Sequence, residues 1–147
     1  MHHTWIHSHV KICLMDIRKT CRIPADDDGD FPFRFKSAAC YIRVEEDPPH
    51  LVRIFAVAAS GVPRSLKLLT ELNEVNSSSR TALAYWNNHT VLVEHTLHPT
   101  AVNPASLAHS CQSVGTVAAD IGGLVAAVYG GQTRFSASAE VVDEDAE

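Results

Sequence analysis

Phe31-Pro32-Phe33-Arg34-Phe35-Lys36-Ser37-Ala38-Ala39-Cys40-Tyr41-Ile42-Arg43-Val44-Glu45 is the stretch that decides the fold. Phe31, Phe33 and Phe35 alternate with Pro32, Arg34 and Lys36, a period of two that puts three aromatics on one face of a half-buried strand. Proline cannot donate to a strand ladder, so Pro32 places this strand at a sheet edge or at a strand start. Ser37-Ala38 turns the chain, and Cys40, Ile42 and Val44 then share a face opposite Tyr41, Arg43 and Glu45. Glu46-Asp47-Pro48-Pro49 is a second turn. The near-continuous apolar run from Leu51 to Ala59 reads as a third, central strand. Three strands joined by short turns make an antiparallel meander.

Downstream, Gly61-Val62-Pro63 breaks the strand, and Leu66, Leu69, Leu72 and Val75, widened by Leu68, predict a helix over Arg64 to Asn76. Thr81 to Trp86 and Thr90 to Leu97 form a hairpin about the turn Asn87-Asn88-His89. Asn103-Pro104 is a helix start, a cap followed by a first-turn proline. Leu107, Cys111, Val114, Val117, Ile121, Leu124 and Val128 then step by three or four, which predicts a helix of about 25 residues, roughly 38 Å long. Gly130-Gly131 ends it. Upstream, Val10 to Cys21 is a weakly patterned short helix closed by Ile23-Pro24, and Ala25 to Asp30 is an acidic turn. The expected division is a flexible leader at 1–9, one domain at 10–131 and an acidic flexible tail at 132–147. Strands and helices in runs give an α+β fold: a five-stranded antiparallel sheet, three-strand meander plus hairpin, with its helices on one face.

A chain of 147 residues builds one core and needs neither disulfide nor metal for stability. Hydrophobic residues at 46% and charged residues at 20% exclude a disordered chain. The net charge of −5 excludes a strongly basic surface, so no nucleic-acid partner is expected. No stretch approaches the roughly 18 apolar residues of a membrane span, so no membrane association is expected either. The N-terminus lacks the basic start and apolar run of an export signal. Four widely spaced cysteines, Cys13, Cys21, Cys40 and Cys111, contain no C-x-x-C pair, and a cytoplasmic location with reduced thiols follows as the expectation.

Catalytic and metal motifs were weighed in turn. Asp26, Asp28 and Asp30 have the one-three-five spacing of a calcium loop, but Phe31 and Ser37 stand where glycine and the closing carboxylate are required. His2, His3, His7 and His9 are read as incidental histidines of a loose end, and His95, His98 and His109 join no metal motif. There is no G-x-S-x-G elbow, P-loop or G-x-G-x-x-G turn, so no cofactor and no enzymatic activity are expected. What remains is an aromatic and mixed sheet surface drawn from Tyr41, Arg43, Trp86, Leu92 and Glu94. Tyr, Trp and Arg are enriched in binding hot spots. The same five residues also suit a core or a dimer contact.

Ala25-Asp26-Asp27-Asp28-Gly29-Asp30-Phe31-Pro32-Phe33, Leu72-Asn73-Glu74-Val75-Asn76, and Val117-Ala118-Ala119-Asp120 ahead of Gly130-Gly131 together resemble the YbjN-like family. That family shares the fold of type III secretion chaperones, and the resemblance spans about Val10 to Gly131. It implies an α+β fold, homodimers, no cofactor, and the binding of partner polypeptides in place of catalysis. The resulting expectation is a non-enzymatic, cytoplasmic, homodimeric peptide- or protein-binding module. A small-ligand sensor or regulator on the same scaffold is the alternative.

Overall fold

The computed structural model describes residues 5–135. In chain order the elements are α1 (Trp5–Arg18), β1 (Phe31–Phe35), β2 (Ala38–Glu45), β3 (Leu51–Ser60), α2 (Leu66–Ser78), β4 (Leu83–Asn87), β5 (Thr90–Leu97), a short 3-10 turn (Pro99–Ala101) and α3 (Pro104–Tyr129). The five strands form one antiparallel sheet in the order β1-β2-β3-β5-β4. The α+β fold and the antiparallel five-stranded sheet are as expected. The hairpin joins the meander through β5, which leaves β1 and β4 as the edges.

The register sorts side chains onto two faces. Cys40 lies opposite Ala56 and Phe33, Ile42 opposite Ile54 and Phe31, and Val93 opposite Ala56 and Ala84. These residues line the face that the helices cover. Ile6, Val10, Cys13 and Leu14 of α1, Leu68 and Leu72 of α2, and Leu107, Val114, Ala118, Ile121 and Val125 of α3 join them in one buried cluster. Tyr41, Arg43, Arg53, Phe55, Tyr85, Leu92 and Glu94 alternate with the core set and lie on the other face.

Local chemistry fixes the element ends. Ser65 caps α2 by accepting from the Leu68 N–H at 3.1 Å. Asn103 caps α3 in a reciprocal box with Ser106. Asn88 and His89 take positive φ of 49° and 60°, as a two-residue hairpin turn requires. Two glycines set how closely α3 meets the sheet. A Cβ on Gly115 would stand 2.5 Å from the Phe35 ring, and one on Gly122 would stand 2.4 Å from the Ala58 carbonyl oxygen.

Several expectations need correction. The first helix begins at Trp5, so residues 5–9 are helical and not part of a leader, and Ile6 is buried. In α2 the inward stripe is Leu68 and Leu72, while Leu66 is exposed. In α3, Leu107, Val114 and Ile121 are buried as expected, but Leu124 and Val128 are exposed and Ala118 and Val125 take their place. A seven-residue step drifts about 20° per repeat on a straight helix, which carries Val128 off the seam begun at Leu107. The expectation that no stretch approaches a membrane span is also corrected: α3 is long and apolar enough to cross a bilayer, though its buried side is packed on the sheet. Gln132 to Phe135 are tied down, Gln132 exchanging backbone hydrogen bonds with Ser60 at 2.8 and 2.9 Å and the Phe135 N–H donating to the Ser37 carbonyl at 3.2 Å. The rest of the expected acidic tail, 136–147, lies outside the described residues, as do residues 1–4.

Candidate functional site

The open sheet face has its own small cluster, centred on Phe55. Tyr41 stacks on its ring at 5.2 Å between centroids, and the guanidinium groups of Arg43 and Arg53 lie 5.0 and 4.6 Å from its centre. Phe55 is therefore only 8% exposed although no helix covers it. Arg43 donates to both Asp30 carboxylate oxygens, and Arg53 donates to Glu94 at 2.6 Å and to the Tyr85 hydroxyl at 3.2 Å. The Asp30 hydrogen bonds raise the Arg43 pKa. Burial raises that of Tyr85, and the Glu94 carboxylate adds to the effect. Arg43, Arg53, Asp30 and Glu94 thus each have an opposite charge beside them.

Of the five residues expected to form one surface, Tyr41, Arg43, Leu92 and Glu94 share this face. Trp86 does not. Its register with Val91 turns it to the helix side, where its indole N–H donates to the Val62 carbonyl at 2.8 Å and its ring meets His89 edge-on at 5.8 Å. A three-residue turn at Asn87-Asn88-His89 would pair Trp86 with Thr90, on the face of Leu92 and Glu94; the turn is Asn88-His89 alone, so Asn87 faces Thr90 and Trp86 faces Val91. The sequence reading also missed Arg53, Phe55 and Tyr85, since a buried central strand shows no alternation to say which face each residue takes.

A second surface lies along the outer side of β1. Leu14, Ile17 and Arg18 of α1, Phe33, Arg34 and Phe35 of β1, and Ala108, Cys111 and Gln112 of α3 line a groove of about 350 Å³. Phe35 can lie against α3 because Gly115 presents no side chain to it. Burial pushes the Cys111 thiol up to about 12, so at neutral pH it remains a protonated, apolar wall and a poor nucleophile. On the groove side β1 has no strand partner among the described residues. Its sequence signal is the set of three aromatics, Phe31, Phe33 and Phe35, on a half-buried edge strand.

Asp26, Asp30, His7 and His9, among the groups with metal-ligand chemistry, have other partners. The carboxylates of Asp26, Asp28 and Asp30 come within 4.8 Å of one another. Asp26 accepts from the N–H groups of Asp28 and Asp30, and Asp30 holds Arg43, so turn geometry and ion pairing account for the cluster. His9 donates to the Val102 carbonyl at 2.6 Å, and the His7 ring lies 4.8 Å from that of Phe31.

Residues 4–137 match the family model described as T3SS (YopN, CesT) and YbjN peptide-binding chaperone 1. The chain belongs to this family of peptide-binding chaperones. A search of curated proteins found no match. Among solved structures, a chain of the crystal structure of the ExsC-ExsE complex is similar with a TM-score of 0.63 at 8% identity, over 81% of this chain and 95% of that one. At that identity the likeness establishes the fold alone.

Proposed function

We propose that this chain is a non-enzymatic peptide-binding chaperone module that works as a cytoplasmic homodimer. An extended partner segment lies along the outer edge of β1, with alternate apolar side chains seated between α1 and α3. The observation that carries this reading is the apolar groove running beside a strand edge that lacks a partner. An edge strand offers main-chain hydrogen bonds, and an adjacent groove offers pockets for every second side chain. The solved relative is described as a complex of ExsC with ExsE, which agrees with partner binding by this fold. A small-ligand role has less support, because the groove is open and mainly apolar, where a metabolite site is enclosed.

Dimerisation is supported by Leu124 and Val128, one helical turn apart and both more than half exposed at the end of α3. The cytoplasmic assignment is supported by four cysteines that form no disulfide. The peptide reading is tested by fluorescence anisotropy with a short labelled peptide of alternating leucine and serine. Ala108→Trp, which fills the groove from α3, should weaken binding at least about tenfold, or ~1.4 kcal/mol. Unchanged affinity in a folded Ala108→Trp chain would overturn it.

A further inference from the structure

The groove leads into a group of cations whose surroundings differ from those of the other sheet arginines. Arg43 is matched by Asp30, and Arg53 by Glu94 and Glu45. Among the described residues, Arg34, Lys36 and Arg134 have no carboxylate within salt-bridge distance. They are held by carbonyls and ring faces instead. Arg34 donates to the Lys36 carbonyl at 2.8 Å, and its guanidinium stands 4.1 Å from the centre of the Phe135 ring. Arg134 approaches the same ring at 5.5 Å, and the Lys36 ammonium lies 5.9 Å from the Phe35 ring. Phe135 is anchored at this point by its hydrogen bond to Ser37. Arg34 and Phe35 are also groove walls, so the cations and the apolar groove form one continuous surface.

We infer that the groove selects acidic partner segments, in which an apolar stretch is followed by carboxylates that meet Arg34, Lys36 and Arg134. This inference rests on the groove being the peptide site. A carboxylate matches the planar fork of a guanidinium, and among the described residues no acid is paired with these cations. Each such pair is exposed and worth little alone, roughly one- to fivefold in affinity, so the effect is a preference among peptides and falls with salt. In a protein of net charge −5, this local positive edge also steers acidic segments to a groove that neutral apolar segments reach unaided.

The test compares two labelled peptides that share a leucine–serine alternation, one ending in glutamates and the other in glutamines, against the full chain. The glutamate peptide should bind roughly tenfold more tightly at low salt. That advantage should vanish at high salt. It should also shrink severalfold in K36Q/R134Q, which leaves every groove wall intact, while the glutamine peptide keeps its affinity. Lys36→Gln alone, whose ammonium lies 5.9 Å from the Phe35 ring centre, should give a smaller loss in the same direction. Equal binding of the two peptides to the unmodified chain would overturn the inference and leave the groove reading intact. If neither peptide binds, the groove reading fails and the inference goes with it.

Discussion

Arg43 clasps Asp30 through two hydrogen bonds, Nε to Oδ1 at 2.9 Å and Nη2 to Oδ2 at 2.7 Å, and joins the second strand to the acidic turn before the first. The Asp30 carboxylate is buried while Arg43 keeps part of its surface in water. Removing the acid leaves a guanidinium that water can still reach, so the loss is moderate. Asp30→Ala should lower stability by about 2 kcal/mol in urea unfolding. Arg43→Ala strands a buried carboxylate and should cost at least as much.

Neighbouring glycines in α3 should respond with opposite signs. A methyl at position 122 would collide with the Ala58 backbone, which cannot swing aside, whereas at position 123 nothing lies within 4 Å. Gly122→Ala should destabilise by about 1–3 kcal/mol. Gly123→Ala should stabilise by about 0.5–1 kcal/mol, because alanine is the better helix former. Thermal unfolding of the two variants side by side checks this.

Alkaline pH should weaken the fold through Cys111. Its thiol is raised by burial from 9.0 to about 12. Between those values the unfolded chain has lost the proton that the folded chain still holds, so stability falls as pH rises. Stability at lower pH is unaffected by this group. Denaturation of the Cys111→Ala chain should show a shallower decline across that range than the unmodified chain.

Substitutions on the two sheet faces should separate stability from binding. Phe55→Ala removes the ring that Tyr41, Arg43 and Arg53 cover and should cost about 3 kcal/mol. Trp86→Ala should cost a similar amount, about 3 kcal/mol, through lost core packing and an orphaned Val62 carbonyl. Where these chains still fold, their affinity for an apolar peptide should match that of the unmodified chain, since neither residue lines the groove. A large affinity loss in folded Trp86→Ala would move the site to the other end of the sheet.

The strands and the long helix were legible because their patterns are local. Phe31, Phe33 and Phe35 announce a period of two, and Asn103-Pro104 announces a helix start. Trp5 to His9 were read as a loose end because the pattern of α1 makes sense only once Ile6 and Val10 have a sheet to lie on. The candidate surface was legible only in part. Tyr41, Arg43, Leu92 and Glu94 do share a face, but the groove draws on residues far apart in sequence, Leu14, Phe33 and Cys111. No single segment contains that juxtaposition, and only the packing of α1 and α3 beside β1 creates it.

The placement of β5 between β3 and β4 bears on how the molecule is made. Until synthesis passes Leu97, the oily central strand Val52 to Ala59 has one flank bare, with hydrogen-bonding groups open to any passing chain. A nascent or prematurely terminated product ending before Thr90 would therefore be a sticky, aggregation-prone fragment. Completion of the last hairpin closes that flank, and the apolar face of the sheet waits for the long final helix to cover it.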